Sequence, residues 1–366
     1  ATASSTNAAT GAGGFPIPTE WVADPQGAGW SQARFVQVVR SYKAKYRANV
    51  ARTPAERQAV DWNAVIADAT NGITSEITIQ TSTVTGWQSA WTQSLAQTSG
   101  WSQMTPMILG MADTTGAYAN WLQVPILQRT PGAFTNGNQA QEDRGIMRTP
   151  DKRFPSGETR AAQVTASGGT SKAGTPVGSL LYFRNRPSGE DTPAEPWGTW
   201  FYDNQRVFNQ RFTGGNAPYP LFTVAEIDML AAEGYLRTNK VPQAAALIDK
   251  TRTKAGLSSV AGITTLTQQV PPQPGGGPNS CVPQVPQGPN FTTTACGTIF
   301  EAMKWEKRVE TSFTGYGQWF MDSRGWGDLP EKTPLEWPVP YQELFARLTL
   351  TPYTTSRVAA KGTYGF

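Results

Sequence analysis

Residues 298–340 read TIFEAMKWEKRVETSFTGYGQWFMDSRGWGDLPEKTPLEWPVP, and the order of side chains in this stretch governs how the rest of the chain is read. Ala302, Trp305, Val309 and Phe313 recur at spacings of three and four, the period of one helical face, while Lys304, Glu306, Lys307, Arg308 and Glu310 fill the others. One face packs; the rest meets water or polar partners. Gly315 and Gly317 stop the helix, and Tyr316, Trp319, Phe320 and Trp326 follow in a segment threaded with Asp322, Arg324 and Asp328. Acids and bases alternating among aromatic rings need partners, because an unpaired charge in a half-buried setting is costly. Glu306, Arg308, Glu310, Asp322, Arg324 and Asp328 are therefore expected to form an internal polar network that fixes the loop after the helix, with no catalytic role.

Working outward, two further regions carry helical periodicity. After Trp30-Ser31, Phe35, Val39, Tyr42, Tyr46 and Val50 form one stripe, and Arg34, Arg40, Lys43, Lys45 and Arg47 line the remaining faces. That basic surface reads as solvated, or as an interface with an acidic partner. Thr53-Pro54-Ala55-Glu56 opens a second helix by its capping-box spacing and by proline at the first helical position; Trp62, Val65, Ile66 and Ala69 are its apolar side, and Asn71-Gly72 ends it. Thr223-Val224-Ala225-Glu226 repeats the opening signature, Pro242 starts a partner helix, and Gly256 closes it. Thr223 through Gly256 spans 34 residues, the tetratricopeptide repeat length, with Ala231, Gly234, Ala244 and Ala245 small enough for close helix packing. Arg252 stands where it can cap carbonyls or bridge to an acidic group in 322–328.

Between these regions the pattern changes. Residues 1–14 are Ala, Ser, Thr and Gly with one Asn, a flexible tail. From 74 to 125 aliphatic residues are sparse while Trp87, Trp91, Trp101, Tyr118 and Trp121 accumulate among Gln, Ser, Thr and Gly. This group is the expected ligand platform: flat apolar faces stack on sugar rings, and neighbouring amides take hydroxyls. Residues 129–180 are rich in Pro, Gly and Ser and suggest long ordered loops; 179–183 and 199–202 read as short strands.

Composition excludes several chemistries. The chain of 366 residues contains no His, which rules out Ser-His-Asp, Cys-His and HExxH sites, and no metal or cofactor is expected. A glycosidase would need two carboxylates set across a bond; Asp113, Glu142, Asp143, Glu190 and Asp191 lie in loops, but no spacing singles out a pair. The net charge of +4 comes without a polybasic run, so nucleic acid is not an expected partner. Cys281 and Cys296 enclose a loop rich in Pro, Gly and Gln and read as a disulfide in an exported protein.

Three separated segments resemble the SusD/RagB family of surface glycan-binding lipoproteins in outer-membrane nutrient uptake. The first is Glu306-Lys307-Arg308-Val309-Glu310 with Gly315, Trp319-Phe320, Asp322, Arg324, Trp326-Gly327 and Trp337-Pro338-Val339-Pro340; it resembles the family's C-terminal signature, with Gln318 where Arg is common and Thr311 where Leu is common. RTPAERQAVDWNAVIADATNGI (52–73) and LAAEGYLRTNKVPQAAALIDKTRTKAGL (230–257) resemble its helical-repeat portions. The resemblance implies a mainly α fold of tetratricopeptide-like repeats with long ordered loops and a few short strands: one domain over 15–366, with loop insertions at about 74–220 and 257–297. It also implies non-enzymatic binding of an oligosaccharide or other nutrient at the outer-membrane surface or outside the cell, beside a SusC-like TonB-dependent transporter. Family members carry further N-terminal repeats and a lipid-bearing Cys, so Tyr42, Tyr46 and Trp62 are expected on faces that a preceding helix pair, a missing N-terminal fragment or a head-to-tail copy would cover. A self-assembling structural surface protein built on the same fold is the alternative.

Overall fold

The computed structural model describes residues 30–80, 104–137, 139–168, 180–187, 200–206, 218–315, 317–337, 339–349 and 357–366; among these it is helix-rich with three two-stranded antiparallel sheets. The 1–14 tail lies outside the described residues. Helix α1 (Gln32–Asn49) begins where Ser31 accepts the Arg34 amide, and α2 (Pro54–Gln58) where Thr53 accepts that of Glu56. The single helix expected from Thr53 to Gly72 is two: Asp61 accepts from the Ala64 amide and starts α3 (Trp62–Thr70) afresh. Thr223 caps α7 (Val224–Arg237), which turns through Asn239 into α8 (Val241–Arg252). Helices α1, α3, α7 and α8 pack in succession, and α9 (Ile299–Glu310) lies against both α7 and α8. Gly234 is required in this stack, since a Cβ there would stand 2.7 Å from the Ile66 side chain on α3.

The buried face of α1 differs from the expected stripe. Arg34, Val38, Ser41, Ala44, Lys45, Ala48 and Asn49 face inward, while Val39, Tyr46 and Val50 are exposed. Small side chains let α1 approach α3 closely, and the two buried cations have polar partners, Arg34 the Ser75 and Glu76 carbonyls and Lys45 the Glu226 carboxylate at 2.9 Å. Of the three aromatics expected on an open end, only Tyr46 is open. Trp62 is buried with its indole N–H donated to the Arg57 carbonyl, and half-buried Tyr42 packs on Phe222.

The insertions are ordered around aromatic residues. Between the helical regions lie β1 (Ile77–Gln80), α4 (Pro106–Leu109), α5 (Ala117–Gln123), α6 (Arg160–Ala166), β2 (Phe183–Asn185), β3 (Tyr202–Asn204) and β4 (Pro218–Phe222). Strand β1 pairs with β4 and β2 with β3, so the expected extended pieces fall a few residues later in the chain. Phe134, Phe154, Phe183, Trp200 and Tyr202 form a core that receives Trp305 and Val309 from α9. The second insertion contributes the hairpin β5 (Gln284–Gln287) and β6 (Thr293–Cys296), closed by a Cys281–Cys296 disulfide with Cα atoms 5.6 Å apart. After α9 the chain forms α10 (Gln318–Trp326), where a loop was expected, and the short α11 (Tyr341–Ala346).

Candidate functional site

Every residue of α9 from Ala302 to Glu310 is buried, so its charged faces meet polar partners rather than water. Three groups surround it. In the first, Arg153 binds Asp151, Glu306 and Glu310, with nitrogen–oxygen distances of 2.7 Å to Asp151 and Glu306 and 3.0 Å to Glu310. In the second, Lys304 and Arg308 share Asp328, and Tyr364 bridges them to Glu301. In the third, Arg57 is bidentate to Glu233 (3.0 and 2.6 Å) and reaches Asp322, which also accepts from Lys307 at 2.7 Å. Burial alone would raise the Glu233 carboxyl, but Arg57, then Arg237 and Lys307, outweigh it and hold the group down at about 2. Lys304 and Arg308 likewise overcome burial to keep Asp328 below its ordinary value.

Five of the six residues expected to form one network thus fall into three groups. Arg324 stands apart from all of them: it donates to the Leu335 and Asn49 carbonyls, 2.9 Å each, and tethers α10 to the end of α1. Arg252 takes the carbonyl-capping alternative, donating to Ser258 and Val282 at 2.7 Å each.

The platform expectation is corrected for two residues. Tyr118 and Trp121 are 1% and 2% exposed, stacked in the aromatic core with ring centroids 6.1 Å apart, and the Tyr118 hydroxyl donates to the Met107 carbonyl at 2.7 Å. Where aliphatic neighbours are few, aromatic rings pack on one another and supply the core themselves. Trp87, Trp91 and Trp101 lie outside the described residues.

A cleft of about 410 Å³ opens where α9 ends and α10 begins. The loop between them turns sharply: Phe313 has φ +56°, Gly315 +57° and Gly317 +68°, and left-handed backbone at a side-chain-bearing residue is a strained arrangement that marks functional loops. Tyr219 secures it by donating to the Phe313 carbonyl at 2.6 Å. Phe313, Trp319 and Phe320 supply aromatic lining, and Trp319 is oriented by its indole N–H on the Arg308 carbonyl, 2.8 Å away. The hydroxyls of Thr311, Ser312 and Thr314 donate back to the carbonyls of Lys307, Val309 and Thr311. All three residues are buried, so these bonds fix the loop that carries the aromatic lining. Gln318, 3% exposed, donates its amide N–H to Asp322, while its Oε1 is buried without a partner among the described residues. In the sequence Gly315 and Gly317 read as the stop of the helix and Trp319 and Phe320 as part of an aromatic segment; the left-handed Phe313 and the cleft itself were not legible.

A second, more polar recess of about 520 Å³ lies between α5 and the disulfide-closed hairpin, lined among others by Thr115, Gln123, Asn279, Ser280 and Thr293. Asp113 at its edge is pushed up by burial, yet its oxygens are occupied by Thr115, Tyr118 and Arg148, so it organises a turn. Among the described residues no group of His, Cys, Asp or Glu is arranged to hold a metal ion, and no helix is long and apolar enough to cross a membrane. Comparison with known proteins adds no relative: no family model, curated protein or solved structure matches the chain.

Proposed function

We propose that the protein is a non-enzymatic binder of a neutral oligosaccharide or similar polyol, held in the cleft at 311–320. The observation that carries this reading is the aromatic lining of the cleft by the partly exposed Phe313, Trp319 and Phe320, flat apolar faces of the kind on which a sugar ring stacks. The cleft volume is in the range of small-ligand sites. Loop and helix both spring from the buried charged helix α9, which gives the site a rigid footing. The resemblance in 298–340 supports placing this binding in a SusC/SusD-type outer-membrane uptake system beside a transporter, on a tetratricopeptide-like stack. The Cys281–Cys296 bridge is consistent with an oxidising, extracytoplasmic setting.

Calorimetry with a panel of neutral oligosaccharides tests the reading. The partly buried Phe320, replaced as Phe320→Ala, should weaken the best ligand by about tenfold, some 1.4 kcal/mol, with little change in melting. An unchanged affinity would move the site elsewhere. A second reading, assembly of copies into a surface layer, is favoured by the apolar patch of Trp337, Tyr341, Phe345 and Leu348, which are 60%, 69%, 58% and 84% exposed. A concentration-independent monomer in light scattering would remove it.

A further inference from the structure

The outer face of α1 holds an imbalance of charge that the cleft does not use. Arg40, Lys43 and Arg47 lie one helical turn apart, and all three reach the same carboxylate, Asp68 on α3, at 3.2, 3.6 and 3.0 Å. Asp68 is nearly buried, its side chain 6% exposed, whereas the cations are 43%, 51% and 41% exposed. One carboxylate neutralises one cation, so two positive charges remain uncompensated. The other clustered exposed cations that form ion pairs have carboxylates to match: Arg52 and Arg357 face Glu56 and Glu336, Lys250 faces Asp228, and Arg347 faces Glu343. Asp68 thus acts as a pin that holds three flexible side chains in one array, lowering the entropy they would lose on meeting an anion.

A cleft of about 490 Å³ adjoins this array between α1 and the turn after α3, lined by Gln32, Gln37, Arg40, Thr70, Asn71 and Thr74 with Val36. Arg40 belongs to both features. It spends one N–H group on Asp68, and the rest of its guanidinium has no partner among the described residues. Amides and hydroxyls beside a guanidinium are the groups that hold a sugar acid: the carboxylate takes the cation and the ring hydroxyls take the neutral side chains. The three charged ends converge on Asp68, within 3.6 Å of its oxygens, so one acidic unit of a ligand can meet more than one of them while neighbouring units continue along the helix face.

We propose that this face is a second binding site, for an acidic oligosaccharide that sets a carboxylate against the cluster of Arg40, Lys43 and Arg47 and one sugar unit in the adjoining cleft. The site is independent of the cleft at 311–320 and does not rest on the function assigned there. The test uses the full chain and two probes: a hexamer of uronic acid and its methyl ester, which keeps every hydroxyl and loses every charge. The acid should bind at least tenfold more tightly than the ester at low salt, and this preference should shrink as salt screens it. The triple variant Arg40→Gln, Lys43→Gln, Arg47→Gln should lose that preference. Lys43→Gln alone, at an exposed position safe for folding, should weaken the acid severalfold. Equal binding of acid and ester, no binding of either, an unaltered affinity in Lys43→Gln, or equally tight binding of a poly-glutamate of matched charge would overturn the assignment; the last would point to an acidic protein.

Discussion

The helical frame and the aromatic insertion solve the same packing problem with different residues. In the frame, Ala44, Ala48, Ala69, Ala231, Gly234, Ala244 and Ala245 bring helices close, and buried ion groups around α9 fill the spaces between them. In the insertion, Phe134, Phe154, Phe183, Trp200 and Tyr202 stack ring on ring around short strands, and Tyr118 and Trp121 extend that stack. Trp305 joins the two: it projects from α9 into the aromatic core, and its indole N–H donates to Asp151 at 3.1 Å. The frame therefore rests on small residues and charge geometry, and the insertion adds ring stacking to buried pairs of its own, such as Arg153 with Asp151. Breaking a buried ion group should hurt more than trimming one polar contact of a ring.

The largest expected effect is at Arg57. It is fully buried between Glu233 and Asp322 and also donates to the Ala48 carbonyl and Asn49, so Arg57→Ala leaves buried carboxylates short of a partner. A loss of about 3–5 kcal/mol is expected on thermal or urea unfolding. The pH dependence sharpens the point. Glu233 sits at about 2 in the folded protein, below the ordinary glutamate value of about 4.3, so its contribution is fully present above that ordinary value and fades as pH falls toward 2. Wild-type stability should slope downward through this window on acidification, and Arg57→Ala should flatten the slope. A variant as stable as the wild type would show that the frame is held by its small-residue packing alone.

Legibility in the sequence followed the same division. Capping signals at Thr53 and Thr223, the small residues of 231–245 and the helix after Thr298 were readable because local sequence states them directly. The face of α1 was not, since an apolar stripe and a buried stripe coincide only when the neighbour wants large side chains; here α3 admits Ala and Ser, and Val39 and Tyr46 turn outward. Tyr118 and Trp121 were misplaced for a related reason: their apolar company arrives from residues 134, 154, 200 and 305, distant in sequence. The cleft depends on left-handed backbone at Phe313, which a residue pattern does not encode.

The disulfide tests the border between the two regions and should have an intermediate effect. Cys281 packs with the helical core while Val282 and Val285, just beyond it, pack with the aromatic core. The two cysteines are 15 residues apart, and a closed loop of that size is worth about 3 kcal/mol on the chain-entropy account. Reduction should raise hydrogen exchange across 270–297 and leave α7, α8 and α9 protected. Loss of protection throughout the helices would mean that the hairpin is integral to the frame and that the border is misdrawn.

The smallest effect separates core from platform most cleanly. Tyr118→Phe keeps the ring, its stack on Trp121 and nearly all its volume, and removes only the hydroxyl that donates to the Met107 carbonyl. A buried carbonyl then loses its partner, and a cost of about 1 kcal/mol should appear as a lowered melting temperature. As a core residue 1% exposed, Tyr118 presents no ring face to a ligand, so oligosaccharide affinity measured in parallel should be unchanged. The opposite pattern, intact melting with weakened binding, would return Tyr118 to a binding surface and require the α5 region to open in solution.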